Sequence, residues 1–470
     1  MAAPLKIVVL DDDPTGSQTL HSCPLLLRWD PETLRAGLRH PSPFLFILAN
    51  TRALDPAAAA ERVRRICQAI KPALQEAQAA AELDQWLIVS RGDSTLRGHF
   101  PLEAEAIAAE LGPFDASFLV PAFLPGGRTT VAGVHYLHGE AVHTTPFGAD
   151  RLFGYSTSFL PAWVEEKSGG RIAATTVERI TIAELETGGD ALLRRLAGLT
   201  HHPWVVVDAE RPQHLAALGA AVRELTAPAA AERWGRPRRF LFQSAASLLN
   251  GLVEIGRQPL DPAALVALRR RGADAVPLPG LVLVGSHVPL ADDQLERLLQ
   301  EPRCEGVELP VQSLARLLEG PAAPELLASL ERQWLQRLKA VLAAGRTPVL
   351  FTSRGELPCR HAAERRRLGQ ELAGLMGRLA AALAPQLGYL ISKGGITSHT
   401  LMEDGLGLAL VELQGQLLPG LSLVLTPADA AVPGLPLLTF PGNLGDADSL
   451  RDAWSLLEDQ GGALAGTRAR

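Results

Sequence analysis

The sequence is poor in cysteine and lysine, and it has no long hydrophobic run. Its four cysteines are scattered along 470 residues, with no close pair of the kind found in zinc sites and redox motifs. No segment approaches the roughly 18 uncharged apolar residues of a membrane span, and residues 1–6 lead straight into an apolar run instead of a secretory signal. We therefore expect a cytoplasmic protein that does not associate with membranes.

An excess of positive charge is also lacking. The net charge of -6 at pH 7 offers no general attraction to nucleic acid, and lysines and arginines do not cluster with interleaved aromatic residues. A small-molecule partner is the expectation that remains. Only five of the 45 basic residues are lysines, so a lysine within a glycine motif, as at Lys393, draws attention.

Short apolar runs that end in polar or glycine residues recur in both halves of the chain. Continuous runs of this kind are typical of buried parallel strands, and the stretches between several of them, such as 56–81, have helical composition. The fold class is therefore α/β, with two domains that each contain a largely parallel sheet flanked by helices. The predicted strands are 7–10, 44–48, 86–89, 117–120 and 205–207, then 281–284, 349–351, 389–391 and 408–413.

Residues 257–280 mark the expected boundary between the two domains. They contain four prolines and the charged run Arg269–Arg271. We therefore predict a first domain over residues 1–256, a linker region over 257–280 and a second domain over 281–470. Because ligands bind at the carboxyl ends of parallel strands, the polar residues that follow each strand are the candidate site residues.

The first predicted strand ends in three consecutive carboxylates, Asp11, Asp12 and Asp13, followed by Pro14, Thr15 and Gly16. One of these residues could simply cap the next helix. Three adjacent negative charges repel one another unless cations or hydrogen-bond donors offset them, so a purely structural role for all three is implausible. At least one aspartate is expected to act in function.

The third predicted strand runs into a loop with two guanidinium groups, a carboxylate and two hydroxyl groups over residues 90–98. Arg91 and Arg97 could bind a carboxylate or phosphate in bidentate fashion, and Asp93 could accept a proton from a substrate hydroxyl. The alternative is a solvated turn with an internal ion pair, which contributes little stability. The loops at residues 50–52 and 126–130 supply further arginines and hydroxyl groups.

In the second half, Lys393, Gly394, Gly395 and Thr397 lie where a strand turns into a helix. Glycines allow close backbone approach to a phosphate, and the start of a helix presents free amide groups. The spacing is not that of a P-loop, and a plain turn with Thr397 as helix cap is the alternative. The loops with Ser286 and Gly442 are predicted to accompany this one, whereas His287 is given no chemical role.

Together these motifs resemble those of the four-carbon acid sugar kinase family, over nearly the whole chain. In that family the first domain binds the sugar acid and the second binds the nucleotide, so the resemblance implies an ATP-dependent kinase that phosphorylates a hydroxyl group of a four-carbon or related sugar acid. A third aspartate, Pro14 and the long segment 138–171 depart from the family pattern. The segments that carry the resemblance are 10–16, 93–98, 121–130, 392–398 and 441–443.

The resemblance also implies roles for individual residues. ATP and Mg²⁺ are the expected cofactors, and no metal site formed by the protein alone is predicted. Asp12 and Asp93 are the candidate catalytic residues, and the choice between them as general base is open. The other predictions are substrate binding by Asp13, Arg52, Arg91, Ser94 and Arg97, and ATP binding by Ser286, Lys393, Gly394, Gly395, Thr397 and Gly442.

Two other readings remain. Residues 7–15 also fit the strand and Asp-x-Asp-x-Thr pattern of a haloacid dehalogenase-type phosphatase, in which Asp11 would be the nucleophile and Asp13 the acid/base. That reading leaves the loops at 91–97 and 394–395 unexplained. A non-enzymatic ligand-binding protein is the second alternative, and association into a homo-oligomer is left open.

Overall fold

The chain divides into two compact units, which are described separately. The computed structural model describes residues 5–13, 16, 19–318, 323–355 and 362–458. The first unit comprises residues 1–19 and 23–257, and the second comprises 20–22 and 258–470. The described residues do not include Pro14 and Thr15, which belong to the first motif, or Cys359, one of the four cysteines.

The first unit is built on a parallel sheet. Its strands pair in the order β2-β3-β1-β4-β11-β5-β10-β9, and every pairing among them is parallel. The segment between β5 and β9 forms a separate, small antiparallel sheet of three strands in the order β6-β7-β8. The strands are β1 (Leu5–Asp11), β2 (Cys23–Leu26), β3 (Phe44–Leu48), β4 (Gln85–Arg91), β5 (Ala116–Val120), β6 (Arg128–Val131), β7 (Val134–Leu137), β8 (Glu140–Ala141), β9 (Glu178–Ile180), β10 (Trp204–Val207) and β11 (Phe240–Ser244).

Helices connect these strands, and several begin at side-chain caps that the sequence supplies. Asp30 accepts hydrogen bonds from the backbone amides of Glu32 and Thr33, and Asp55 accepts one from that of Ala58. In both cases proline occupies the first helical position, where its missing N–H leaves no bond unmade. The helices are α1 (Pro31–Arg39), α2 (Pro56–Ala79), α3 (Leu102–Leu111), α4 (Leu160–Lys167), α5 (Ile182–Thr187), α6 (Gly189–Ala197), α7 (Pro212–Thr226), α8 (Ala230–Trp234) and α9 (Ala246–Leu252).

The second unit has a mixed sheet that is mainly parallel. Its order is β13-β14-β12-β15-β18-β17-β16, in which only the pairings of β17 are antiparallel among those described. The strands are β12 (Gly280–Val284), β13 (Cys304–Leu309), β14 (Thr347–Thr352), β15 (Tyr389–Lys393), β16 (Leu410–Leu418), β17 (Leu421–Leu425) and β18 (Pro436–Phe440). The helices are α10 (Pro262–Val266), α11 (Pro289–Leu299), α12 (Val311–Leu318), α13 (Ala323–Ala343), α14 (Ala362–Leu383), α15 (Gly395–Thr400) with a π-helical continuation (Leu401–Gly405), and α16 (Ser449–Glu458).

The α/β fold class with largely parallel sheets is thus confirmed. Of the predicted linker region 257–280, residues 258–280 contribute to the second unit. They contain α10, and Leu265 is fully buried in the core of the second unit. Arg269 donates hydrogen bonds to the backbone oxygens of Leu278 and Leu457. Prolines here begin a short helix and shape turns within the second unit. None of the helices that the structure describes is long and apolar enough to cross a membrane.

Candidate functional site

Asp12 follows β1 directly and is held by a guanidinium group. The Nε of Arg52 donates to Asp12 Oδ2 at 2.9 Å, and its Nη1 donates to Asp13 Oδ2 at 3.0 Å. Burial raises the pKa of Asp12, while the positive charge of Arg52 acts in the opposite direction. Arg52 therefore offsets the repulsion between two of the three adjacent carboxylates.

Asp11, the last residue of β1, is fully buried and pairs with Arg91. Arg91 Nη1 lies 3.4 Å from Asp11 Oδ1, and the backbone amide of Asp13 donates to the same oxygen. Burial raises the pKa of Asp11 to about 7. A Cβ on Gly16 would collide with this carboxylate, so Gly16 packs directly against it. A nucleophile must reach its substrate, and the enclosure of Asp11 argues against the phosphatase reading.

Asp12, rather than Asp11, lines a cavity in the first unit, at the carboxyl ends of β1, β4, β5 and β11. The side chains that line it form two groups, one polar and one apolar. Of the residues predicted from the sequence, Asp12, Asp93 and Arg97 line this cavity, whereas Asp13, Arg52, Arg91 and Ser94 are not among its described lining. The lining residues are Asp12, Gly92, Asp93, Leu96, Arg97, Gly98, His99, Phe100, Glu103, Leu119, Pro121, Trp163, Gln243 and Ser244.

Asp93 and Arg97 form an ion pair on the wall of this cavity. Arg97 Nε donates to Asp93 Oδ2 at 2.7 Å, and the Thr95 hydroxyl donates to the same oxygen. Burial alone would raise the pKa of Asp93, but the charges of Arg52 and Arg97 hold it well below its ordinary value. Asp93 is therefore a weak proton acceptor and is well suited to orienting Arg97.

The loop that carries Asp93 and Arg97 is fixed from behind through its backbone. His135 Nε2 donates to the Ser94 carbonyl at 2.8 Å, and the Tyr155 hydroxyl donates to the Thr95 carbonyl at 2.6 Å. Burial lowers the pKa of His135 to about 4, so the imidazole is neutral at pH 7. Leu96 has a φ of 65°, an unfavourable conformation for a leucine that these anchors hold in place.

Sequence reasoning missed several residues of the cavity wall. Gln243 and Ser244 end β11, whose run of Phe240 to Phe242 fits the same rule of an apolar strand followed by polar residues. His99 directly follows the 90–98 loop in the sequence, and Glu103 lies in the first turn of α3. Glu103 is buried, and burial raises its pKa, with the nearby charge of Asp12 adding to the effect.

In the second unit, three predicted glycine loops come together around Ser286 and Thr397. A Cβ on Gly442 would lie 2.8 Å from Ser286 Oγ, and one on Gly285 would collide with the Thr397 hydroxyl. Gly394 has a φ of 119°, and its Cβ would lie 3.4 Å from the Ser286 amide nitrogen. Gly395 begins α15 directly after this residue. The ends of β12, β15 and β18 thus approach at distances that side chains would prevent.

Lys393 does not have the geometry predicted for a phosphate-binding cation. Its side chain is fully buried, and its Nζ donates to the carbonyl oxygens of Pro441 and Gly442 at 3.1 and 3.3 Å. The same nitrogen lies 4.1 Å from the centre of the Phe440 ring. Burial lowers the pKa of Lys393 to about 7. Lys393 thus forms a structural link between β15 and the loop after β18.

The pH dependence of stability tests this structural role of Lys393. Between pH 7 and pH 10 the unfolded chain binds more protons than the folded chain at this residue, because the folded pKa is the lower one. The free energy of unfolding of the wild type should therefore rise over this range relative to that of Lys393→Met. Denaturant melts at both pH values measure the difference, with Lys339→Met, at an exposed helical position, as control. A constant gap between wild type and Lys393→Met would contradict the buried amine.

Arg354 is a cation that the sequence analysis did not single out, although it follows β14 by only two residues. Its Nη2 donates to the Ser286 carbonyl at 2.6 Å, and its Nε donates to Asp292 Oδ1 at 2.6 Å. The Nη1 atom is buried and makes no hydrogen bond within the described part of the chain. Arg354 thus places a positive charge next to the loop that carries Ser286.

The carboxylates at the end of β1 do not form an open set of metal ligands. Arg91 and Arg52 already pair with Asp11 and Asp12, and the described residues hold no group of three side chains that could bind a metal ion.

Comparisons with known proteins match each half of the chain to a separate domain family. Residues 7–252 match the model of a sugar-binding N-terminal domain, and residues 281–450 match that of a nucleotide-binding C-terminal domain. D-threonate kinase of Cupriavidus necator is 29% identical over 403 residues, which cover 82% of this chain and 85% of that protein.

Two solved structures have a similar fold. A putative tRNA synthase of Salmonella typhimurium superposes with a TM-score of 0.64 at 16% identity, and the match covers 95% of this chain and 98% of that one. A Haemophilus influenzae protein superposes with a TM-score of 0.59 at 17% identity, and the match covers 96% and 100%. At such low identities these matches show that the fold is shared.

Proposed function

The chain belongs to the four-carbon acid sugar kinase family, and from this premise we propose that it transfers the γ-phosphoryl group of ATP to a hydroxyl group of a four-carbon or related sugar acid. One observation carries the proposal. The unit that matches the sugar-binding domain has a cavity where Asp12, Asp93 and Arg97 meet. Two carboxylates and a guanidinium group suit a ligand with both hydroxyl groups and a negative charge.

In this proposal Arg97 binds the carboxylate of the acid. The guanidinium group presents parallel N–H donors that match a carboxylate, and Asp93 fixes its orientation through the Nε bond. Arg97 Cζ lies 4.9 Å from the centre of the Phe147 ring, and this cation–π contact stabilises the guanidinium group further. Asp93 then acts by positioning Arg97, because its own depressed pKa makes it a poor base.

Asp12 is the better candidate for the group that accepts the hydroxyl proton. It lines the cavity, and burial raises its pKa toward the range in which a general base works at neutral pH. Arg52 holds the carboxylate in place through two of its nitrogens. Glu103 also lines the cavity, and burial together with the nearby charge of Asp12 raises its pKa.

The second unit is proposed to bind the nucleotide at the glycine loops. Gly285, Gly394 and Gly442 carry no Cβ, so their backbone can approach a phosphate closely, and the hydroxyl groups of Ser286 and Thr397 lie next to these glycines. Arg354 would neutralise phosphate charge there. Mg²⁺ bound together with the nucleotide would supply positive charge that offsets the charge developing during transfer. Because ATP is the proposed donor, the cytoplasm is the expected compartment.

A coupled assay of ADP release tests the proposed function. The purified protein is given ATP and magnesium together with single members of a panel of four-carbon acids, including D-threonate, D-erythronate and their 3-oxo relatives. We expect release that depends on the acid and saturates with its concentration. Release that is the same without any acid, or hydrolysis of a phosphate ester in the absence of ATP, would contradict the proposal.

A further inference from the structure

The inner wall of the sugar-binding cavity contains polar groups that the roles above leave unused. Gln243 and Ser244 stand at the carboxyl end of β11, and Trp163 projects from α4. All three residues line the same cavity as Asp12 and Arg97. They come from elements far apart in sequence, and the fold brings them to one place.

Each of these three residues has a buried polar atom without a partner. Within the part of the chain that the structure describes, Gln243 Oε1, Ser244 Oγ and Trp163 Nε1 are buried and make no hydrogen bond. Native proteins satisfy nearly all buried polar groups, because an unsatisfied one loses its hydrogen bonds to water without compensation. Three such atoms around one cavity indicate that a ligand supplies the missing bonds.

The neighbouring backbone leaves room for a ligand near these atoms. A Cβ on Gly92 would lie 2.8 Å from Gln243 Nε2 and 3.9 Å from Asp12 Oδ2, so Gly92 keeps open the space between the two side chains. Gly98 has a φ of 131°, and a Cβ there would lie 3.4 Å from Asp12 Oδ2. Side chains at these two positions would reduce the space next to the proposed base.

The rest of the inner wall is apolar and rigid. Leu96, Phe100 and Leu119 line the cavity together with the indole of Trp163. The Phe100 and Trp163 rings pack with their centres 4.5 Å apart, and Trp163 is 2% exposed, so the position of its N–H is fixed. A sugar acid has C–H groups as well as hydroxyl groups along its chain, and this wall offers contacts to both.

We propose that Gln243, Ser244 and Trp163 form a hydroxyl-recognition subsite that selects among sugar acids. Gln243 Oε1 accepts a hydrogen bond from a substrate hydroxyl, Trp163 Nε1 donates one to a hydroxyl oxygen, and Ser244 Oγ does either. Arg97 fixes the carboxylate, so the subsite reads the hydroxyl groups of the carbon chain. This inference rests on the proposed sugar-acid function and adds specificity-determining residues to it.

Physical chemistry makes such a subsite selective. A site built to hydrogen-bond a hydroxyl rejects an analogue that lacks it, because the protein groups are then left buried and unpaired. The enzyme should therefore discriminate strongly between its preferred acid and the corresponding deoxy acid. A variant that lacks the protein partner should lose this discrimination, because no protein group is then left unpaired when the deoxy acid binds.

The test combines Ser244→Ala, Gln243→Met and Trp163→Phe with two ligands, the best acid of the panel and its deoxy analogue. The best acid should lose about 5- to 30-fold in kcat/KM with each variant, as expected for one hydrogen bond of 1–2 kcal/mol, while the KM for ATP stays constant. The ratio of kcat/KM between acid and deoxy acid should fall toward one. An unchanged ratio in all three variants would overturn the subsite, because a general structural defect lowers both values together.

Ser247→Ala is the matched control for Ser244→Ala. Ser247 lies three residues further along, and its hydroxyl already accepts a hydrogen bond from the Leu124 amide at 3.0 Å. It is absent from the described lining of the cavity. Ser247→Ala should lose some thermal stability but keep the wild-type ratio of kcat/KM between the acid and its deoxy analogue.

Calorimetric titration of the acid into the protein without nucleotide separates this inference from the proposed function. If the wild type binds an acid but releases no ADP, the kinase proposal fails, and weaker binding by Ser244→Ala still supports the subsite. If the wild type binds the acid and the three variants bind it equally well, the subsite is wrong even where turnover is normal. If the wild type binds none of the acids, both proposals fail.

Discussion

Replacing Asp12 with asparagine should lower kcat by about 10²- to 10⁴-fold, the usual contribution of a positioned general base. Asparagine keeps the shape of the side chain and a hydrogen-bond acceptor for Arg52, which also retains its bond to Asp13. The variant should therefore fold and bind the acid, but it cannot take up the hydroxyl proton. Steady-state kinetics at saturating ATP and acid measure the loss, and thermal melting checks the fold.

Asp93→Asn is the informative comparison, because sequence reasoning leaves the base open between these two aspartates. Removing the Asp93 charge frees Arg97, so the KM for the acid should rise more than kcat falls. Asp190→Asn, at an exposed position on α6, serves as the control for the substitution itself. A larger loss of kcat in Asp93→Asn than in Asp12→Asn would assign the base to Asp93 instead.

Replacing Gly394 with alanine should raise the KM for ATP at least tenfold and leave acid binding unchanged. The φ of 119° is unfavourable for any residue with a Cβ, and the added carbon would lie 3.3 Å from the Thr397 hydroxyl and 3.4 Å from the Ser286 amide. Strain of about 1–3 kcal/mol would be relieved by moving the loops apart. Calorimetric titration with ATP and with the acid measures the two affinities separately.

Gly434→Ala is the matched control for this prediction. Gly434 also has a positive φ, 61°, lies in the second unit and is exposed, with open space where a Cβ would be. The Gly434→Ala substitution introduces the same kind of backbone strain, but away from the glycine loops. Equal effects of the two substitutions on ATP affinity would show that general destabilisation, not the loops, is responsible.

The sequence predicts the fold class because the central strands are buried on both faces. The runs that include Phe44–Leu48 and Tyr389–Ile391 are apolar throughout, and this pattern has few interpretations other than a parallel strand. Strands that carry charged or mixed residues, such as β9 and β13, were not predicted. Their pairing partners, not their own composition, fix them as strands.

The candidate site is predictable where it lies on a loop rich in functional groups. The loop from Ser90 to Gly98 stands out by composition, and the structure places Asp93 and Arg97 on the cavity. Trp163 gives no such signal, since an aromatic residue on a short helix reads as core and only the tertiary fold brings it to the cavity.

For Lys393, the sequence motif does not determine where the side chain points. Its motif suggests a phosphate ligand, but the direction of its side chain depends on where Pro441 and Gly442 lie, about fifty residues away. Arg354, two residues beyond β14, satisfies the strand-end rule and makes the contact with Ser286. Spacing in the sequence identifies the loops, whereas the tertiary structure determines that Lys393 is buried and that Arg354 contacts Ser286.

Phosphorus NMR of a reaction with ATP, magnesium and the best acid tests the central claim most directly. A sugar-acid kinase must produce a phosphomonoester of the acid in the same amount as ADP. We predict a new phosphomonoester resonance that appears only with the acid present and that Asp12→Asn nearly abolishes. Conversion of ATP to ADP and inorganic phosphate alone, with no phosphorylated acid, would contradict the account.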